Sequence, residues 1–153
     1  MRKVRRTDRE ISDDEARAIL ERGEYGVLST VGADGQPYGV PLSYVFENDS
    51  IYFHCALSGH KLDDIAGNPK VSFCVVGGTK VLPEKFATEY ESVIAFGSAA
   101  EVAGEERQTA LLRILDKYCL HFIEEGKEYI GQKNQAMKVY KIVASHISGK
   151  ARR

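Results

Sequence analysis

The sequence predicts a mainly β protein with helices laid outside its strands, folded as a closed or half-closed antiparallel β-barrel in one domain, residues 1–153. Three observations lead there. About six segments alternate apolar and polar residues or are rich in β-formers, and Gly, Pro, Asn and Asp turn signals separate them. Two or three further segments carry helical spacing. The length of 153 residues at 43% hydrophobic content suits a single core, and no repeat or linker divides the chain.

The elements follow in order. After a charged tail, residues 1–10, Ser12 and Glu15 form a capping box with Asp13 and Asp14 in the first turn. Ala16, Ile19 and Leu20 give that helix one apolar face, and Gly23 is expected to end it as a left-handed residue. From Tyr25 the pattern turns to β. Gly26–Val31, the turn Ala33-Asp34-Gly35-Gln36 and the run Pro37–Phe46 read as a hairpin. On its second strand Tyr38, Val40, Leu42, Tyr44 and Phe46 share a core face. Gly39, Pro41 and Ser43 share the other, which is small enough for a flat ligand to approach.

A turn at Glu47–Ser50 leads to a third strand, Ile51–Cys55. A short helix over Ser58–Ala66 is expected to be capped by Ser58 and stopped by Gly67-Asn68-Pro69. Lys70–Val76 is the fourth strand, Gly77–Thr88 an irregular excursion, and Tyr90–Val102 the fifth, with a bulge or close approach at Gly97. Glu105 to about Ile123 has helical spacing, and Met137–Ile147 closes the sheet.

Charge and cysteine usage narrow the function. Twenty-one Lys and Arg against 22 Asp and Glu leave a formal charge of -1, which argues against a surface devoted to nucleic acid or anionic membrane. No apolar run has the length of a membrane helix and the first residues lack a signal-peptide pattern, so the expected location is the cytoplasm. Cys55, Cys74 and Cys119 are odd in number and form no C-x-x-C pair, which predicts buried reduced thiols. No H-E-x-x-H, paired-carboxylate or Ser-His-Asp pattern can be placed, and Gly77-Gly78-Thr79-Lys80 lacks phosphate-loop spacing. His121 and His146 read as structural. The basic runs Arg2–Arg6 and Lys150–Arg153 read as solvated tails.

The stretch richest in chemistry is Tyr52-Phe53-His54-Cys55-Ala56-Leu57-Ser58-Gly59-His60-Lys61. It runs a strand into a helix amino terminus, where unpaired N–H groups and the helix dipole attract anions. Gly59 lets a phosphate approach the backbone, Lys61 adds a full charge, and His60 offers a further donor. Read from these residues alone, an exposed lysine on a solvated helix is the competing explanation.

Val40-Pro41-Leu42-Ser43-Tyr44, the stretch Tyr52–Ile65 followed by Asn68-Pro69, and Val71–Val76 together resemble the pyridoxamine 5'-phosphate oxidase-related split-barrel family, especially its nitroimidazole-resistance branch. The similarity spans Glu15 to about Lys150. It implies an antiparallel Greek-key split barrel and a homodimer that binds FMN at its interface, FAD being able to use the same phosphate turn. It also implies redox chemistry on a small molecule. By position, Gly59, His60 and Lys61 fall on the phosphate turn, with His60-Lys61 where the oxidases carry Arg-Lys. Phe53 and His54 fall where the third strand passes the flavin, Pro41, Leu42, Ser43 and Tyr44 on the strand behind the ring, and Ser92 where a cofactor-reaching Gln stands. In the nitroimidazole-resistance branch a histidine at the His54 position lies beside the flavin, which makes His54 the catalytic candidate.

Two features depart from the oxidases. Strand two offers Val40 and Ser43 instead of an Arg, and Gly149–Arg153 does not reproduce their Arg-rich ending, so vitamin B6 oxidation is not expected. A dimer would also cover the apolar Tyr90–Phe96 strand, which is expected to be a sheet edge. A non-catalytic flavin carrier or sensor, and a haem-binding barrel using His54 or His60 as axial ligand, stand as alternatives.

Overall fold

Local rules place most of the elements. The computed structural model describes all 153 residues. Helix α1 (Asp13–Arg22) begins with the expected capping box: Ser12 Oγ accepts from the Glu15 N–H, and the Glu15 carboxylate accepts from the Ser12 N–H, each at 3.2 Å. Ala16, Ile19 and Leu20 are buried. Gly23 follows the helix in an extended conformation (φ -60°, ψ 134°), not the left-handed one. Glycine is needed there for space, because a Cβ would collide with the Tyr44 hydroxyl and the Val75 side chain.

Strands β1 (Gly26–Val31) and β2 (Pro37–Leu42) form the predicted hairpin, Gly26 opposite Leu42 and Val31 opposite Pro37. The run expected to continue to Phe46 breaks at Ser43-Tyr44, and β3 (Val45–Glu47) begins beyond it. The break shifts the alternation, so that Tyr44 and Val45 are both buried. Asn48 and Asp49, both at positive φ (51° and 60°), make the two-residue turn into β4 (Ser50–Cys55). Helix α2 (His60–Gly67) has Gly59 as its N-cap, at φ 152°, and Ser58 makes no cap bond. Ser58 lies one residue too far from the first turn to serve.

Strands β5 (Lys70–Leu82) and β6 (Ala87–Val102) replace the expected excursion with a long hairpin arm turned at Pro83–Lys85. A register shift between Gly77 and Lys80 absorbs the glycine pair. The bulge at Gly97 is present as a shift between Phe96 and Gly97. A Cβ there would overlap the Val143 carbonyl. The predicted single helix from Glu105 divides into α3 (Gly104–Tyr118), a short turn at Leu120–Phe122, and α4 (Ile123–Lys133). Helix α4 buries no residue fully, so hydrophobic periodicity gave no signal for it. Strand β7 (Lys138–Arg152) is longer than expected. Lys150, Ala151 and Arg152 pair with Ser92, Glu91 and Tyr90, and Glu10 bridges to Lys150, so the carboxy-terminal basic run belongs to the sheet, while Arg2–Arg6 lies outside it.

The seven strands form one antiparallel sheet in the order β2-β1-β5-β6-β7-β4-β3. Strands β2 and β3 occupy opposite edges of that sheet, yet only Ser43 and Tyr44 separate them in sequence. The sheet therefore curls until its two edges approach, leaving one seam without ladder hydrogen bonds: a split β-barrel. Strand β6 pairs with β5 and β7 on its two sides, so Tyr90–Phe96 is an interior strand and not an exposed edge.

A main core of 18 residues fills the barrel, with Ile19 and Leu20 of α1, Leu62 and Ile65 of α2, and Phe53, Phe73 and Tyr44 among its largest members. A smaller cluster of Val102, Ala110, Leu111 and Val139 seats α3 on the outside. The seam is held from α3. Tyr118 Oη accepts from the Tyr44 N–H (3.0 Å) and lies 2.6 Å from the Glu24 carbonyl, to which it donates. Lys117 Nζ donates to the Tyr44 carbonyl (3.0 Å) and sits 3.9 Å above the Tyr44 ring. All three cysteines are free, but only Cys55 is buried; Cys74 and Cys119 are half-buried.

Candidate functional site

The amino terminus of α2 is a cluster of donors without acceptors. The Gly59 carbonyl accepts from Leu62 and Asp63, both at 3.1 Å, while no hydrogen bond uses the N–H of His60 or Lys61. Gly59 supplies the positive φ that aims the chain into the helix, and the space beside its Cα is empty. Lys61 is half-buried and makes no ion pair. Its charge is felt at Cys55, where it opposes the burial that raises the thiol pKa.

The Lys61 ammonium in the first turn of a helix runs against the dipole preference, which places cations at the carboxy end. An anion resolves the conflict. The donor set of two free N–H groups, an ammonium and an imidazole fits a phosphate, and so fits the phosphate of a flavin nucleotide.

His60 is held on two sides. Its ring stacks on Tyr38 of β2, centroids 3.8 Å apart and planes 8° from parallel. Its Nε2 lies 3.4 Å from the buried Asp64 carboxylate, which accepts from Thr30 Oγ1 at 2.7 Å. Tyr38, Asp64 and Thr30 were not expected at the site. Only the i,i+4 spacing of His60 and Asp64 on one helix could have signalled it, because Thr30 and Tyr38 arrive through the β1–β2 hairpin.

The other expected positions are distributed along the strands next to this turn. Pro41 and Ser43 are exposed at the end of β2 and in the seam, and Gly39 shares their face, leaving a shallow surface of small side chains. Leu42 is half-buried against the core. Tyr44 is fully buried, its hydroxyl donating to the Leu20 carbonyl at 2.5 Å, and the Phe53 ring lies inside the barrel beside Tyr140. These two side chains point into the core, so any contact they make outside it is through backbone. His54 alternates to the outer face of β4, opposite Val139 on β7, and makes no hydrogen bond. Although solvent reaches it, the protein packed around its ring lowers its pKa below the ordinary 6.5, favouring the neutral imidazole. Ser92 sits half-buried in β6 between Val76 and Lys150. His121 is exposed, and His146 lies beside Phe96 at 6.3 Å.

Residues 12–151 match the family model described as pyridoxamine 5'-phosphate oxidase. The chain belongs to that family. The match extends over nearly the whole of the barrel and includes every site residue named above. No curated protein sequence matches the chain.

Among solved structures, the chain is similar to a proposed 5-nitroimidazole antibiotic resistance protein from Bacteroides thetaiotaomicron, with 21% identity, 93% of this chain and 86% of that one covered, and a TM-score of 0.75. It is similar to an FAD-binding protein from Mesorhizobium loti, with 21% identity, coverages of 95% and 98%, and a TM-score of 0.67. It is also similar to the haem storage protein HutZ from Vibrio cholerae, with 14% identity, coverages of 88% and 92%, and a TM-score of 0.66. At these identities the likeness is one of fold: the same split barrel accompanies flavin in one neighbour and haem in another. No helix of the chain is long and apolar enough to cross a membrane.

Proposed function

We propose that this member of the family is an FMN-binding flavoprotein and an oxidoreductase acting on a small molecule, nitroaromatic compounds being the class to test first. The observation that carries the proposal is the unsatisfied donor set at the start of α2, where His60 and Lys61 leave their N–H groups free. A bound flavin supplies the electron transfer, which leaves binding, orientation and electrostatics to the protein. Lys61 and the two free N–H groups hold the phosphate, and the exposed small residues Gly39, Pro41 and Ser43 let a flat ring approach β2. FAD meets the same phosphate turn with one more phosphate and an adenosine to place. His54, neutral and free of internal hydrogen bonds, is the residue of this site suited to orient a substrate or pass it a proton.

We read the active form as a homodimer in the cytoplasm. The supporting feature is an apolar stripe on the hairpin arm: Val76 is 55% exposed, Val81 70% and Phe86 99%. A lone apolar residue at the surface is ordinary, but three on one arm, ending in a phenylalanine held at positive φ, support reading the arm as a contact surface.

Haem binding is the second reading, favoured by the same freedom of His54, which leaves an imidazole available as an axial ligand. An absorption spectrum of the purified protein separates the two. Flavin bands in the near-ultraviolet and blue are expected, and a Soret band with no flavin would overturn the proposal. Reduced nicotinamide with a nitroaromatic acceptor then distinguishes an enzyme, which turns over, from a flavin carrier, which does not.

A further inference from the structure

The arrangement around His60 exceeds what a phosphate turn needs. A surface histidine at the first position of a helix is ordinarily free to rotate, and ordering its side chain costs entropy. Here the ring is fixed by a face-to-face stack on Tyr38 and by the approach of Nε2 to Asp64, at 3.4 Å an ion-pair contact longer than a hydrogen bond. Asp64 is itself buried, only 8% exposed, and is kept in place by the Thr30 hydroxyl. Burying a carboxylate is costly unless it is paired, so its retention beneath a histidine calls for a reason. With Nε2 turned to Asp64, Nδ1 is the ring nitrogen left without a partner.

We propose that Asp64, anchored by Thr30 and aided by Tyr38, is a positioning residue that holds the His60 imidazolium so that its Nδ1–H donates to the flavin phosphate. This deepens the proposed function and rests on it. The relay replaces the planar guanidinium that the family's oxidases carry at this position. Arginine presents a rigid planar fork of donors, whereas a single imidazole N–H reaches the phosphate in one ring orientation only, so the contact depends on the residues that fix the ring. The charged and titratable groups facing the ring are few. Helix α2 contributes Lys61, Asp63 and Asp64, and β2 contributes Tyr38. The β1–β2 turn contributes Asp34, whose carboxylate and that of Asp64 both lie beside Gly32.

The test compares FMN with riboflavin, which lacks the phosphate, by flavin fluorescence titration of the full-length protein. The ratio of the two dissociation constants isolates the phosphate contribution. In the unmodified protein the ratio of the riboflavin to the FMN constant should exceed one. His60→Gln should lower the ratio about tenfold, the worth of one charge-assisted hydrogen bond. Asp64→Asn, which can still accept from Thr30, should lower it by a similar factor with riboflavin affinity unchanged. The double variant should lose no more than His60→Gln alone, because both act through one contact. Equal weakening of both flavins by Asp64→Asn, or additive losses in the double variant, would make Asp64 merely structural and overturn the inference while leaving the phosphate site intact. Should Asp64→Asn not fold, Thr30→Val, which removes the hydroxyl that anchors Asp64, takes its place: it should lower the ratio with riboflavin affinity unchanged, and an unchanged ratio overturns the relay. A ratio near one in the unmodified protein, or no flavin binding, overturns the phosphate site and the relay together.

Discussion

Replacing Tyr118 by phenylalanine removes one oxygen atom from the seam of the barrel, and the structure sets the size of the effect. The hydroxyl accepts from the Tyr44 N–H at 3.0 Å and donates to the Glu24 carbonyl at 2.6 Å, so two backbone groups lose their partner at once. These groups lie where strand pairing is interrupted, and no neighbouring strand can take over. A buried polar group left unsatisfied costs about 1–3 kcal/mol, and a solvated one almost nothing. The Tyr44 N–H lies in the half-buried part of the seam and takes the lower part of that range, while the carbonyl of the exposed Glu24 is met by water and adds little. The expected loss is about 1 kcal/mol, or about 2–4 °C in melting temperature for a domain of this size. Urea unfolding followed by circular dichroism gives the free energy, with Tyr129→Phe as the control because that side chain is 60% exposed and makes no hydrogen bond. A loss below about 0.5 kcal/mol, no larger than an ordinary surface substitution, would refute the view that α3 closes the seam.

Lys61→Ala should weaken FMN binding about ten- to a hundredfold while the melting temperature of the flavin-free protein changes little, as measured by fluorescence titration and a thermal scan. His54→Ala should leave FMN affinity nearly unchanged but slow reduction or turnover, since the phosphate donors lie elsewhere; a variant that only unfolds would make the residue structural. Burial pulls the Lys117 ammonium down to about 8 from an ordinary value of 10.5. The unfolded chain therefore holds that proton more tightly, and the site's contribution to stability should rise as pH increases from about 8 to 10.5 and stay flat below. Lys117→Met should remove that rise from a series of urea midpoints. Phe86→Glu should shift the protein toward a 17.0 kDa monomer in light scattering, with its strands intact by circular dichroism, and an unchanged dimer would place the interface elsewhere.

Short-range physics carried much of this protein in its sequence. The capping box at Ser12, the β1–β2 hairpin, the turn before β4, the bulge at Gly97 and the turn at Gly59 each rest on residues within a few positions of one another, so composition and spacing were enough. The motifs between Val40 and Val76 also carried the family.

Tertiary structure decided what depends on distant residues. Gly23 has an extended backbone and is required by Tyr44 and Val75, which no local propensity reveals. The Gly77–Thr88 stretch looked irregular because its glycines and proline weaken local β preference, yet pairing with the opposite strand overrides that weakness. Strand order turned the expected edge at Tyr90–Phe96 into an interior strand and carried β2 and β3 to the two sides of the seam. The environment of His60 followed the same rule. The histidine and its helix were legible in sequence, while Tyr38 and Thr30 reached it only because the hairpin folds against α2. Contacts between residues far apart in the chain depend on how the elements pack, and that packing is settled by the barrel as a whole.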